Sequence, residues 1–184
     1  MKTLTQLSLA VLFLLVTSSC EKRSCKNVTC ASYQTCNAGY CLCPNGYEGD
    51  TCNIISATKF IGNWRATENC INDNGSYYNF GPYYTNIYAT VPGSAVYGVN
   101  IIYFNTLLGG GPVYAQILNT TSTSEGITLY IPPQTLPNGV VITAGSQGYY
   151  SPPAIAGVKP TMTITVNYNY QGNSNTCTEN FYKQ

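Results

Sequence analysis

The chain has 184 residues, a length that accommodates one or two domains. Only 8% of the residues are charged, whereas Tyr and Gly occur 17 times each, and such a composition favours half-exposed β-strands over helices. Basic and acidic side chains balance within residues 20–52 and again within 53–184. We therefore predict an all-β protein, and the lack of a basic stripe argues against nucleic-acid binding.

Residues 1–19 have the pattern of a secretory signal peptide. Lys2 supplies the positive start, an apolar stretch covers residues 4–16, and residues 17–19 are the small side chains found before a cleavage site. The apolar stretch is shorter than the roughly 20 residues that span a bilayer. The sequence therefore predicts an exported protein that is not held by a transmembrane helix.

The sequence contains nine cysteines, an odd number. Cys20 directly follows Ser18 and Ser19, and this placement resembles the lipobox of bacterial lipoproteins, although Thr17 stands where an aliphatic residue is commoner. Lipidation of Cys20 leaves an even set of cysteines that can all pair. The resemblance implies a lipid anchor of more than one acyl chain, which holds a protein firmly in a membrane, with residues 20–24 as lipidated N-terminus and linker. The alternative is a soluble secreted protein with a spare thiol.

Six of the remaining cysteines lie within residues 25–52. The segment ends in the sequence Cys41-Leu-Cys43-Pro-Asn-Gly46-Tyr47-Glu-Gly49-Asp-Thr-Cys52. This spacing resembles an EGF-like domain, whose signature combines C-x-C, a Gly–aromatic pair and a Gly shortly before the final Cys. So short a segment buries too little apolar surface to fold without cross-links. Six cysteines alone permit fifteen connectivities, but the resemblance implies the pairs Cys25–Cys36, Cys30–Cys41 and Cys43–Cys52.

Metal binding by this cysteine-rich segment is not expected. A zinc site competes as an explanation of clustered cysteines, but the chain contains no His and is predicted to reach an oxidising compartment. The residues before Cys25 offer one carboxylate, Glu21, beside Lys22 and Arg23, which is too little for calcium. We predict no metal and no cofactor. The preferred role of the module is a spacer between the membrane and the rest of the protein, and an interaction surface is the alternative.

Residues 53–184 alternate between apolar and polar side chains with the period of a β-strand. In the clearest run, residues 161–170, every second residue is Met, Ile, Val or Tyr, so that Tyr168 and Tyr170 share one face, and the others are Thr or Asn. Segments rich in Gly and Pro separate the runs. The predicted strands lie near 59–67, 83–91, 96–104, 113–120, 126–131, 139–144, 161–170 and 176–183. Eight strands at this spacing predict an antiparallel up-and-down meander that hides its edges by closing into a barrel.

The first predicted strand contains the sequence Phe60-Ile-Gly62-Asn-Trp64. It resembles the G-x-W motif of lipocalins and other calycins, in which the first-strand Trp packs across one end of an eight-stranded up-and-down barrel. The family's basic residue from the last strand has Lys183 as its possible counterpart. The resemblance implies a lipocalin-like barrel over residues 53–184. A lipocalin-like domain behind a short EGF-like module is also similar to small surface lipoproteins of Gram-negative bacteria.

Cys70 and Cys177 remain, and we expect them to pair. Their bridge closes a loop of over 100 residues, for which chain entropy gives a stabilisation of about 4.7 kcal/mol. It also requires the first and last strands to be neighbours, as they are in a barrel. In the same antiparallel register, Glu68 lies opposite Glu179, and parity places Glu68 on the face of Trp64. If Trp64 faces inward, both acids point toward one mouth of the barrel.

The absence of His excludes His-based triads and His general bases. The pair Glu68 and Glu179 is the one candidate for chemistry, because two close carboxylates split their pKa values, as in many glycosidases. The preferred interpretation is two rim glutamates that point to water or pair with Arg65 or Lys183. No catalytic residue is therefore assigned.

Three pairs of tyrosines are expected in or beside loops: Tyr77-Tyr78, Tyr83-Tyr84 and Tyr149-Tyr150. There they could stack on sugars or peptides, although tyrosine is also a common strand residue that packs in sheet walls. Two functions stay open. The first is a non-enzymatic lipoprotein of the bacterial outer membrane or cell surface, whose barrel binds a small apolar ligand, a glycan or a protein partner. The second is a hydrolase or isomerase that uses Glu68 and Glu179 at the barrel mouth.

Overall fold

A computed structural model of the chain describes residues 25–89, 98–118 and 126–184. The predicted signal peptide, Cys20 and its linker lie outside the described residues. So do the parts of three predicted strands at 90–91, 96–97 and 119–120. The described chain is all-β, as predicted, with short 3-10 helices at Cys25–Asn27 and Ser56–Lys59.

The N-terminal part of the described chain is a disulfide module, residues 25–52. Its hairpin joins β1 (Thr35–Asn37) to β2 (Tyr40–Leu42). Within the module Cys43 is the one apolar side chain that is fully buried, so cross-links replace a hydrophobic core. The three disulfides have the predicted pairing: Cys25–Cys36, Cys30–Cys41 and Cys43–Cys52.

A second hairpin connects the disulfide module to the rest of the chain. It pairs β3 (Tyr47–Glu48) with β4 (Ile54–Ile55), so the last strand of the module's fold lies beyond Cys52. The backbone amide of Ser56 donates to the carbonyl of Gly46 at 2.9 Å and extends this pairing. The module is thereby fixed to the start of the second domain by main-chain hydrogen bonds.

Eight antiparallel strands of the second domain form a closed ring. In chain order they are β5 (Gly62–Asn72), β6 (Tyr77–Tyr88), β7 (Ile101–Phe104), β8 (Val113–Ile117), β9 (Ile127–Tyr130), β12 (Gln147–Ser151), β13 (Thr161–Tyr170) and β14 (Asn173–Lys183). Two short strands between β9 and β12, β10 (Gln134–Thr135) and β11 (Val141–Ile142), are not members of the ring. Each pairs with its neighbours in the chain order of the ring, and β14 also pairs with β5, which closes the circle. Closure removes the exposed edges that an open sheet of this size would present.

One member of the ring differs from the prediction. The predicted strand 139–144 is reduced to β11 (Val141–Ile142), which pairs with β10 (Gln134–Thr135) and with the end of β13. The ring position belongs instead to β12, which sequence reasoning missed because it contains Gly148 and ends at a Pro-Pro pair. A Cβ at residue 148 would lie 2.9 Å from Ile164 Cγ1, so glycine is required by close packing between strands.

The interior of the barrel is filled by alternate side chains of the ring strands. In β5 and β13 buried and accessible residues alternate with period two, as the sequence predicted. Each fully buried large apolar side chain contributes about 1.5–3 kcal/mol. The largest of them with no exposure are Phe60, Trp64, Phe104, Phe181, Ile87, Ile102, Leu107, Ile117, Leu129, Ile131 and Ile142.

Trp64 closes one end of the barrel. Its indole Nε1 donates a hydrogen bond of 2.7 Å to the carbonyl of Phe60, and its ring packs edge-on against Tyr150. Lys183 Nζ lies 5.6 Å from the centre of the Trp64 ring and donates to the carbonyl of Lys59 at 2.7 Å. The residues of the predicted motif thus form the closed end, and Lys183 of the last strand makes a cation–π contact with Trp64.

The disulfide module packs against this closed end. Gly46 is buried so tightly that a Cβ there would lie 2.8 Å from Asn100, just before β7. Glu48 is buried and forms an ion pair of 2.7 Å with Lys59. The opposite, open end of the barrel therefore points away from the module.

Candidate functional site

The open end of the barrel contains a cleft of about 360 Å³. Its walls come from β5, β6 and β13 and from the two long connections that follow β7 and β9. Those connections touch, because Asn138 Nδ2 donates to the carbonyl of Leu108 at 3.4 Å. The cleft is lined by Glu68, Tyr78, Asn79, Phe80, Leu108, Gly109, Asn138, Val140, Tyr168 and Tyr170. Aromatic and aliphatic walls with few polar groups are typical of small-molecule sites.

Glu68 and Glu179 lie directly opposite each other on β5 and β14, in the predicted register set by Cys70 and Cys177. Both point into the barrel, where Glu68 is 7% exposed and Glu179 is fully buried. The interpretation as two rim glutamates in water or in ion pairs is therefore wrong. Arg65 lies on the outer face of β5 by strand parity, and Lys183 is engaged at the closed end.

A β-bulge in β6 shapes the cleft beside Glu68. Ala66 pairs with Tyr83 but Glu68 pairs with Phe80, so three steps along β6 match two along β5. Phe80 and Tyr83, three residues apart, consequently reach the same side and approach with ring centres 6.3 Å apart. Gly81 lies in the bulge with φ of 109°, and a Cβ there would lie 3.1 Å from the carbonyl of Ala66, so glycine is required.

The two carboxyl groups are surrounded by tyrosine hydroxyls. Tyr83 donates a short hydrogen bond to Glu179 Oε2, while Glu179 Oε1 has no hydrogen-bond partner among the described residues. The hydroxyls of Tyr78 and Tyr168 share a hydrogen bond of 2.8 Å above them. The site therefore contains one buried carboxyl oxygen without a hydrogen-bond partner, which is costly in a folded protein.

The environment favours the protonated forms of both acids. Burial, followed by the charge of Glu68, raises the pKa of Glu179 to about 8, against a smaller lowering by the Tyr83 hydrogen bond. Burial also raises the pKa of Glu68. Burial and the Glu179 carboxylate raise the pKa of Tyr83, so its hydroxyl stays a donor. Near neutral pH the pair therefore retains a proton, as coupled buried carboxyls do.

The disulfide between Cys70 and Cys177 lies beside Glu68. Glu68 Oε1 is 2.8 Å from Cys70 Sγ and 3.3 Å from Cys177 Sγ. The sulfurs of a disulfide carry no proton, so these approaches are contacts and not hydrogen bonds. The three side chains have the spacing of metal ligands, but thiolates are the metal-binding form of cysteine, and the disulfide removes them.

The three tyrosine pairs, which were predicted in or beside loops, lie within strands, and Tyr77-Tyr78 begin their strand just after a turn. Two pairs belong to β6 and one to β12. The strand alternation sends one member of each pair inward and the other to the surface, so only Tyr78 and Tyr83 join the site. Sequence periodicity had already put Tyr168 and Tyr170 on one face of their strand. Sequence reasoning missed Phe80, for which the adjacent Gly81-Pro82 pair was an available signal, and Leu108, which directly precedes the glycine run at 109–111.

The chain matches no known family model, no curated protein and no solved structure. Its function must therefore be argued from the geometry of the cleft and its buried acids. Within the described residues, none of the helices is long and apolar enough to cross a membrane.

Proposed function

We propose that this protein is an exported, lipid-anchored lipocalin-like binding protein that captures a small ligand at the open end of its barrel. The cleft carries the proposal, because it combines aromatic and aliphatic walls with a carboxyl group, Glu68, at its base. A volume of about 360 Å³ suits a small molecule better than a glycan chain or a protein surface. The eight-stranded ring and the Trp64–Lys183 contact at its closed end support the lipocalin-like assignment.

The position of the disulfide module supports a role as spacer. The module precedes the barrel in the chain and packs at the closed end through Gly46 and Glu48. With the chain anchored through Cys20, the closed end faces the membrane and the cleft faces away from it. An EGF-like spacer would thus hold the binding site toward the side from which ligands arrive.

The burial of Glu179 favours binding over the hydrolase or isomerase alternative. A mechanism with two carboxyl groups requires that both reach the substrate. Glu68 lines the cleft, whereas Glu179 is fully buried and bonded to Tyr83. Only one acid is therefore presented to a ligand.

The anchor is tested by replacing Cys20 with serine. Wild-type protein extracted from membranes is expected to have an intact mass above that of the chain starting at Cys20, by a diacylglyceryl group and an amide-linked acyl chain. The Cys20→Ser protein should lose this increment and appear in the soluble fraction. A wild-type mass equal to that of a polypeptide cleaved near Ser19, with soluble behaviour, would contradict the anchor.

The cleft is tested with the neutral apolar dye N-phenylnaphthylamine, whose fluorescence increases in apolar surroundings. Phe80→Ala removes an exposed aromatic wall of the cleft and should weaken dye binding by about tenfold. Tyr182→Ala is the matched control, because Tyr182 is 45% exposed and lies on β14 far from the cleft. Equal weakening by both variants, or no binding by the wild type, would overturn the assignment of the cleft as the ligand site.

A further inference from the structure

We infer that the ligand of the cleft is a small amphipathic amine, with a positively charged nitrogen on an aromatic or aliphatic body. The inference rests on the proposed function, ligand binding in the cleft, and goes further by naming the chemical class. Three features of the site carry it: carboxyl groups without a neighbouring cation, a buried carboxyl oxygen without a hydrogen-bond partner, and the aromatic walls.

The site contains groups that can carry negative charge and, among the described residues that line it, none that carries positive charge. Glu68 is the one carboxyl group among the described residues that line the cleft, and none of the others is a Lys or Arg. The groups that face the acid pair are the phenols of Tyr83 and Tyr78 from β6, the phenol of Tyr168 from β13, and the disulfide. None of these is a cation. A negative group in a concave, poorly solvated site concentrates its field and attracts positive ligands while repelling anions.

The site has more carboxyl oxygens than hydrogen-bond partners for them. Glu179 lies at the level of Glu68 in the barrel, is fully buried, and has an unpartnered Oε1. Tyr83 satisfies only the other oxygen of Glu179. A ligand ammonium group would donate N–H bonds to Glu68, the acid that lines the cleft, and its positive charge would lower the cost of ionising Glu68 and the neighbouring Glu179. A ligand without N–H or positive charge would leave that cost in place.

The walls of the cleft suit the remainder of such a ligand. Tyr78, Phe80, Tyr168 and Tyr170 supply aromatic faces, which attract organic cations as well as apolar groups. Leu108 and Val140 from the two connections add aliphatic surface on the other side. The cleft thus combines an anionic base with an apolar enclosure, the complement of an amphipathic amine.

Proton release is a direct consequence of this assignment. Burial and the neighbouring Glu68 keep the pKa of Glu179 near 8, so the acid pair holds a proton at neutral pH. A bound cation favours the ionised form and should expel that proton. Affinity for the amine should therefore rise as the pH increases from 5 to about 8, where the amine itself remains charged.

The test is isothermal titration calorimetry with three ligands that share one ring: tyramine, its neutral counterpart p-ethylphenol, and its acidic counterpart p-hydroxyphenylpropionate. Wild-type protein is expected to bind tyramine at least about tenfold more tightly than p-ethylphenol, as a charge-assisted contact implies, and to bind the propionate least. Glu68→Gln should abolish the preference for the amine, so that the ratio of tyramine affinity to p-ethylphenol affinity falls to about one. Asp50→Asn removes the same charge at an exposed position of the disulfide module and should preserve the selectivity.

The outcomes separate the two proposals. Equal binding of tyramine and p-ethylphenol by wild-type protein, or tyramine affinity that does not rise between pH 5 and 8, overturns the amine assignment and leaves the ligand cleft in place. Failure of all three ligands and of the neutral dye overturns the cleft itself. If Glu68→Gln does not fold, Glu179→Gln replaces it in the test: residue 179 then has no proton to release, so the rise in tyramine affinity between pH 5 and 8 should be smaller than in the wild type, and a rise equal to the wild type's overturns the amine assignment.

Discussion

Replacing Cys70 and Cys177 together with alanine is expected to lower the free energy of unfolding by about 4 kcal/mol. The bridge has a sequence separation of 107 residues, and chain entropy assigns a loop of this size about 4.7 kcal/mol. The two cysteines are direct partners on β5 and β14, the strands that close the ring. Loss of the bridge therefore increases the conformational entropy of the unfolded chain and removes the cross-link between the two strands that close the barrel. Urea denaturation followed by the fluorescence of Trp64, the one tryptophan in the chain, measures the change.

A matched double replacement of Cys43 and Cys52 is the control. That bridge has a sequence separation of only 9 residues and lies outside the barrel. Because a shorter loop constrains the unfolded chain less, the Trp64 transition should shift by a smaller amount. An equal shift in the two proteins, or no shift on removal of the long bridge, would contradict a stabilising role of Cys70–Cys177 between the strands that close the barrel.

The stability of the barrel is expected to fall as the pH rises from about 4.5 to 8, by on the order of a few kcal/mol. Burial and the charge of Glu68 raise the pKa of Glu179 from 4.5 to about 8, so the folded protein holds a proton that the unfolded chain has released. Stability must fall with pH wherever the folded state binds more protons than the unfolded state. The contribution is fully present below pH 4.5 and is lost as the pH passes through the folded value.

The variant Glu179→Gln identifies the group responsible. Its side chain cannot ionise and keeps an oxygen to accept the Tyr83 hydrogen bond, so the pH dependence between 4.5 and 8 should flatten and stability at pH 8 should exceed that of the wild type. Asp50→Asn, at an exposed position, should retain the wild-type slope. Urea midpoints measured at four or more pH values across this range provide the comparison. A slope that survives in Glu179→Gln would assign the pH dependence to other groups.

The buried acid pair connects stability to the proposed function. A carboxyl pair in a barrel that is otherwise filled with apolar side chains lowers stability at neutral pH. Such a cost is often found where a site is arranged for a ligand, since binding groups are held ready before the ligand arrives. On this view a bound amine and an acidic pH stabilise the barrel by the same route, neutralisation of Glu68 and Glu179.

Much of the site could be predicted from sequence because cysteine number and strand parity are strong constraints. The pairing of Cys70 with Cys177 puts Glu68 opposite Glu179 whatever the rest of the barrel does. Alternation along β5 then places Glu68 on the inward face with Trp64, and the structure confirms both. The all-β class and the eight-stranded ring follow in the same way from repeated period-two runs.

Other features depended on contacts between segments far apart in the chain. The bulge at Gly81-Pro82 lies where β6 pairs with β5, and it brings Phe80 to the cleft. Membership of β12 in the ring depends on close packing of Gly148, its second residue, against Ile164 of β13. The meeting of Leu108 with Asn138 joins two connections at the open end. Local periodicity states which way a side chain faces within its own strand, but bulges, ring membership and loop contacts are decided by partners that only the folded chain brings together.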